Sequence, residues 1–198
     1  TTTMPRAPIT SRPLDLLYVG FFASHIFASL VIDFQAFYPP ALVPSFARQL
    51  LEFYVRNTSD PLIGAVAGFF PSAHLAWLKS FLLVELLVQF PIFILGIYGL
   101  LKDSKRIYVP LILYGASTAT TTLACIATVV QAPTPTPALL ANLHITGIVP
   151  LTSSQKTMLL GSYIPYCLIP LLMALDIGYR VHAIVNTAIK ASDAAKRK

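Results

Sequence analysis

Four long apolar runs, joined by polar and proline-rich links, dominate the chain: approximately Leu14–Phe37, Ser80–Leu101, Ile107–Val130 and Met158–Val181. Each has about the 20 helical residues that cross a bilayer core. The pattern predicts an all-α membrane protein, a four-transmembrane-helix bundle without a separate soluble domain. Its expected organisation is an N-terminal segment 1–13, a transmembrane domain 14–186 and a basic tail 187–198. Between the first two runs, Pro39-Pro40 blocks the first helix, and Ser45 after Pro44 reads as the N-cap of a short helix reaching Tyr54 or Val55. Phe46, Leu50, Phe53 and Tyr54 are expected on one face, with Arg48, Glu52 and Arg56 on another. That distribution suits an interfacial or re-entrant helix. Asn57–Pro61 then reads as a turn, followed by an apolar segment to Trp77. The stretch Gln131–Pro137 is too proline-dense for regular structure and should run extended. Residues 138–154 are expected to skim the membrane.

Composition agrees with this class: 56% of residues are hydrophobic and 11% charged, and the mean hydropathy is +0.71. Charge adds orientation. With four spans, both ends and the link between spans two and three share one side. That side carries Arg6, Arg12, Lys102, Lys105, Arg106, Arg180, Lys190, Lys196, Arg197 and Lys198, against Arg48, Arg56, Lys79 and Lys156 opposite. The asymmetry predicts cytosolic termini. The net charge of +6 is then a topology signal with affinity for anionic headgroups, not a nucleic-acid surface. The tail Lys196-Arg197-Lys198 only partly matches a lysine-type retrieval signal, lacking the second lysine at the usual spacing. Cys125 and Cys167 both fall inside spans and read as small packing residues, with no metal spacing and no disulfide framework. No cleavable signal peptide is expected, so the first span would act as the insertion signal. Asn57-Thr58-Ser59 is formally a glycosylation sequon, too close to the bilayer to be expected in use.

Candidate chemistry sits inside the spans. Asp33 ends the uncharged stretch Leu16–Ile32, and Glu85 is the only acid of the second span. A carboxylate at such depth costs roughly 2.5–3.5 kcal/mol on insertion scales, so it marks a ligand, ion or proton site. His25, Ser29 and Asp33 recur every four residues, and Glu85 and Gln89 form an i, i+4 pair just before the kinking Pro91. The third span offers Tyr114, Ser117, Thr118, Thr120, Thr121 and Thr122. The fourth offers Tyr163 and Tyr166 around Pro165, with Pro170 beyond. Proline in a span frees carbonyls that need partners or line a cavity. Thr and Ser in spans also serve as interhelical glue, and His25 as a packing donor. If Asp33 and Glu85 are close, they share protons as a coupled pair. An ionised Asp33 beside a protonated Glu85 would then be a counter-ion for a cationic amine, with tyrosines supplying π faces.

Several motifs together carry a resemblance. Ser24-His25-Ile26, Asp33-x-Gln35-Ala36, Pro39 and Asp60-Pro61-Leu62 come first. Trp77-x-Lys79-Ser80-Phe81-Leu82 and Glu85-Leu86-x-x-Gln89-x-Pro91 follow. Tyr114 with Thr118, Thr120 and Thr121, and Tyr163-x-Pro165-Tyr166-x-Leu168-Ile169-Pro170, complete the set. Over about residues 14–180 the chain resembles the sigma-2 receptor (transmembrane protein 97) family of the EXPERA superfamily, which includes emopamil-binding protein. The resemblance implies a four-helix endoplasmic-reticulum protein, a homodimer, with a ligand cavity opening toward the bilayer and no cofactor. It implies binding of sterols and cationic amphiphilic amines, and a role in cholesterol homeostasis and trafficking with a lysosomal cholesterol transporter as partner. Asp33 would pair with the amine, Glu85 would be protonated and bonded to Asp33, and Asp60 would shape the site. Gln89, His25, Tyr114, Thr118, Thr121, Tyr163 and Tyr166 complete the implied ligand set. Residues 65–68, the proline-rich link and 144–150 depart from the pattern.

Two activities compete. One is a sterol or lipid receptor without catalysis. The other is a sterol Δ8-Δ7 isomerase, in which Asp33, Glu85 and His25 would serve as acid and base. The isomerase pattern has a histidine one turn before the second-span glutamate, where this chain has Phe81, and its late asparagine and tryptophan have no match. A non-enzymatic receptor is therefore the expectation, with a trafficking scaffold a distant third.

Overall fold

A computed structural model describes residues 7–71 and 74–197. Residues 1–6 of the predicted N-terminal segment, with Arg6, and Lys198 of the tail lie outside the described residues.

Helix α1 (Pro13–Val31) starts with proline at its first turn, where the missing N–H is no loss. It passes into a 3-10 turn, Asp33–Ala36. After Pro39 and Pro40 come α2 (Ser45–Thr58) and the single turn α3 (Ile63–Val66). The second span is α4 (Ala76–Val84), a π-helical turn Glu85–Gln89 and α5 (Phe90–Leu101). The third is α6 (Tyr108–Gln131). Short helices α7 (Pro137–Ala141) and α8 (Leu143–Thr146) precede α9 (Ser153–Lys196). Four helical segments, Pro13–Ala36, Ala76–Leu101, Lys105–Gln131 and Ser153–Lys196, are long and apolar enough to cross a membrane. Large apolar side chains such as Leu87, Leu113, Leu123 and Leu175 point outward around them. A belt of that kind is stable only against lipid. The chain is a multi-pass, all-helical membrane protein.

Several boundaries differ from expectation. Pro44, not Ser45, holds the N-cap position of α2, and no side chain caps it; Ser45 is already helical. The helix runs past Val55 to Thr58 because Ser59 can adopt a left-handed conformation (φ 50°) that closes it. Phe46, Leu50 and Phe53 do share an outward face, but Tyr54 turns inward with Ala47, Leu51 and Val55. The proline-rich link lacks regular structure over residues 132–136, yet Pro137 opens α7, capped by the Thr136 side chain. Thr152 and Gln155 form a reciprocal capping box that fixes the start of α9. From there α9 runs through the predicted tail to Lys196 without a break.

The bundle has two unlike halves. Toward the termini, Tyr18, Phe21, Phe22, Phe93, Leu111, Tyr114, Met173 and Ile177 fill the interior. A charge network closes that end. Arg180 Nη1 donates to Asp15 at 2.6 Å and Arg180 Nη2 to Asp176 at 2.7 Å, while Tyr18 donates to Asp176 at 3.1 Å. Arg12 joins Asp15 at 2.5 Å. Two of the cations counted for orientation are thus also structural ties. The opposite half contains the cavity.

Candidate functional site

A cavity of about 440 Å³ lies among all four spans and α2, within the range of small-molecule sites. Its walls are built from local peculiarities of each helix. Span 1 brings His25, Ala28, Ile32 and Asp33, the last placed by the change from α-helix to 3-10 turn. Gln35 secures that turn by donating to Val31 O at 2.5 Å and to Ala47 O of α2 at 2.8 Å. Span 2 brings Phe81, Leu82, Glu85 and Gln89. Pro91 has no N–H for the preceding turn, and the Phe90 N–H reaches back five residues to Glu85 O. The resulting π-turn keeps both Glu85 and Gln89 on the cavity side. Spans 3 and 4 add Thr118, Thr121, Thr122, Cys125, Tyr163, Pro165 and Tyr166.

The polar groups are unequally satisfied. Ser29 donates to Glu85 Oε1 at 2.5 Å, and His25 Nε2 lies 3.5 Å from the same oxygen. His25 Nδ1 shares a hydrogen bond of 3.1 Å with the Tyr114 hydroxyl, and its ring stacks on Phe93 at 4.5 Å. Gln89 donates to Ser117 Oγ at 3.1 Å. The Thr121 hydroxyl bonds Thr118 O at 3.1 Å, whereas Thr118 Oγ1 makes no hydrogen bond. Among the described residues, the Asp33 carboxylate accepts no hydrogen bond and pairs with no cation. The direct Asp33–Glu85 bond implied by the resemblance is replaced by the Ser29 and His25 contacts of Glu85.

Of the ten residues singled out from sequence, eight line one cavity: His25, Asp33, Glu85, Gln89, Thr118, Thr121, Tyr163 and Tyr166. Tyr114 and Asp60 stand behind it. Tyr114 braces His25. Asp60, fully buried, accepts from Tyr54 (2.6 Å), Tyr163 (2.8 Å), Leu62 N–H (2.8 Å) and Ile63 N–H (3.1 Å). Burial pushes the Asp60 carboxyl above the usual carboxylate range, opposed by those four donors. Burial and the neighbouring Asp60 also push the Tyr54 hydroxyl up, so the tyrosine remains a donor. Asp60 therefore fixes two tyrosines as walls. Asp60→Ala would leave four buried donors unmatched and should cost about 3 kcal/mol or more, read as a lowered unfolding midpoint.

Sequence reasoning missed Tyr54 as a wall, together with Ala28, Ile32, Ile63 and Leu78. Spacing could have found Tyr54: it is seven residues after Ala47 and three after Leu51, on the buried face of α2. The apolar walls carried no such signal, because every face of these helices is apolar.

The exposed rim of the cavity lies on α9, at Gly161, Ser162 and Pro165, beside the outward Ile164 and Leu168. Spans 1 and 4 meet from Asp15–Arg180 as far as His25–Tyr166, whose rings are 4.7 Å apart. A side chain added at Gly161 meets nothing within 4 Å. Gly161→Phe should therefore fold normally but slow ligand association roughly tenfold by crowding the rim, measured by stopped-flow binding of a fluorescent amphiphile.

Comparison with known proteins agrees with this architecture. The family model for EXPERA, the expanded EBP superfamily, matches residues 46–177, from α2 into α9. Human sigma intracellular receptor 2 is 34% identical over 168 residues, covering 84% of this chain and 88% of that protein. The Xenopus tropicalis protein of the same name is 31% identical over 168 residues, with 84% and 89% coverage. Efficient mitochondria targeting-associated protein 19 of Schizosaccharomyces pombe is 27% identical over 193 residues, covering 96% of this chain and 85% of its own. A matching family model over two spans and most of a third, and vertebrate relatives aligned over nearly their full length, place this chain in the EXPERA superfamily, alongside sigma intracellular receptor 2.

Proposed function

We propose that the protein is an intramembrane receptor of the sigma-2 type, binding sterols and cationic amphiphilic amines in the cavity between its four spans. The observation that carries this reading is the cavity itself: apolar walls, a rim on the outward face of α9 and one carboxylate, Asp33, without a hydrogen-bond partner among the described residues. Flat apolar walls from Ile32, Leu78, Phe81 and Leu82 suit a sterol body, and Asp33 suits an ammonium group. The tyrosines Tyr54, Tyr163 and Tyr166 add π faces for the same cation. By this reading the protein resides in the endoplasmic reticulum as a homodimer with both termini cytosolic. Residues 14–186 form its transmembrane domain and 187–198 a basic cytosolic tail. Its role is in sterol homeostasis or trafficking, in company with a sterol-transport protein.

One geometric feature favours a second reading. His25 and Glu85, 3.5 Å apart at the cavity wall, are a candidate acid–base pair for a sterol Δ8-Δ7 isomerase. Incubating the purified protein with a Δ8-sterol in heavy water separates the two. Recovery of unchanged sterol, still bound, supports the receptor. A shifted double bond carrying deuterium identifies an isomerase and overturns it.

A further inference from the structure

We propose that a second, smaller cavity stacked on the first receives the hydroxyl end of a neutral sterol-class lipid and presents it at the membrane surface. The inference rests on the receptor reading above and adds a path along which that ligand moves.

The second cavity has a volume of about 250 Å³, below the roughly 300–1,000 Å³ of a self-sufficient small-molecule site. Its walls make it an extension of the first. On span 2, Leu78 lines the first cavity and Leu75, one turn earlier, lines the second. Cys125 and Thr128 divide in the same way on span 3, as do Ile63 and Leu62 after Asp60. The buried cluster of Leu62, Leu78 and Cys125 supplies the layer between the two. Among the described residues no side-chain hydrogen bond crosses that layer. Rotamer changes of two leucines therefore part it at the cost of apolar contact alone.

The far end of the second cavity lies at the membrane boundary. Span 3 ends at Gln131 and span 2 begins at Ala76, and the exposed His74 and Gln131 stand at the rim. The outer wall comes from segments that depart from the receptor pattern, Pro133 of the proline-rich link and residues 147–149. Leu151 N–H ties the two together by donating to Pro133 O at 2.9 Å. Gly147 turns left-handed (φ 64°) above His74 and Pro71, a conformation glycine holds without strain.

These walls select for a neutral ligand. The described lining residues include no Asp, Glu, Lys or Arg, and the dividing layer is apolar, so an ammonium ion would pay its full desolvation cost to pass. A sterol carries no charge, and its hydroxyl is the end that gains by advancing. Thr128 Oγ1 donates to Ala124 O at 3.0 Å, which leaves its oxygen free to accept from the ligand hydroxyl. His74 and Gln131 offer further partners at the rim. The aliphatic tail stays behind among Phe81 and Leu82 of the first cavity.

The test uses full-length protein in phosphatidylcholine nanodiscs with two photoreactive cholesterol analogues. One carries a diazirine on the steroid B ring, the other at the end of the side chain. The ring label should mark Leu75 and Thr128 and the side-chain label Phe81 and Leu82, both competed by unlabelled cholesterol. Leu75→Trp and, separately, Thr128→Trp should cut ring labelling of the second cavity by about tenfold or more. Side-chain labelling of the first cavity should persist in both variants, which also verifies their fold. Ring labelling confined to the first cavity overturns the inference while leaving the receptor reading intact. So does ring labelling of the second cavity that neither tryptophan reduces, or a side-chain label found there in place of the ring. Absence of any competed labelling in the wild type overturns the sterol-receptor reading, and this inference with it.

Discussion

Asp33→Asn should abolish binding of a cationic amphiphile while leaving sterol binding and the fold in place. The carboxamide has nearly the shape of the carboxyl, and among the described residues no hydrogen bond depends on the Asp33 oxygens, so the fold is left in place. Against an ammonium ion the two differ completely, since the amide carries no charge. Removing one partner of a desolvated ion pair costs about 2–5 kcal/mol, a loss of roughly 30- to several-thousand-fold in affinity. Competition binding with a labelled amine and a labelled sterol on the same preparation reads both effects. Unchanged amine affinity would remove Asp33 from the site. Loss of sterol and amine together, with a lowered unfolding midpoint, would make Asp33 a structural residue.

Most of this architecture could be read from the chain because the membrane imposes one dominant constraint. Backbone groups in hydrocarbon must be satisfied within the segment, so long apolar runs can only be helices. Buried acids in such runs are costly enough to be conspicuous, and Asp33 and Glu85 indeed meet at one cavity. What periodicity could not supply was orientation around each helix. The spans are apolar on every side, so lipid-facing Leu87 and cavity-facing Leu82 look alike in sequence. The sequence reading sets Tyr54 on one face with Phe46, Leu50 and Phe53, although one helical step separates Phe53 and Tyr54 by about 100°. The different surroundings of the two acids were equally out of reach: Ser29 donates to Glu85, a contact between spans 1 and 2 that neither span's sequence displays.

The largest effect on folding should come from a residue with no side chain. At Gly115, a Cβ would lie 2.5 Å from the Pro170 carbonyl oxygen and 3.0 Å from both Ala174 N and Ala174 Cβ. The obstacles at the first two are backbone, which cannot rotate away. Small residues continue the seam: Ala119 O accepts a weak bond from Cys167 Sγ at 3.6 Å. Between apolar helices in lipid, such backbone contact replaces the hydrophobic drive as the source of association. Spans 3 and 4 share the most extensive interface of the bundle, and together they carry nearly half of the cavity wall. Gly115→Ala should therefore lower the unfolding midpoint by an amount equivalent to about 1–3 kcal/mol, the usual range for overpacking, and Gly115→Val should prevent recovery of monodisperse protein. Gly178→Ala is the matched control on span 4. Its Cβ meets nothing within 4 Å, and alanine should stabilise that helix by up to about 1 kcal/mol. Equal tolerance at both positions in thermal unfolding would mean that spans 3 and 4 do not approach at backbone contact. The cavity would then lack a rigid wall on the side of spans 3 and 4.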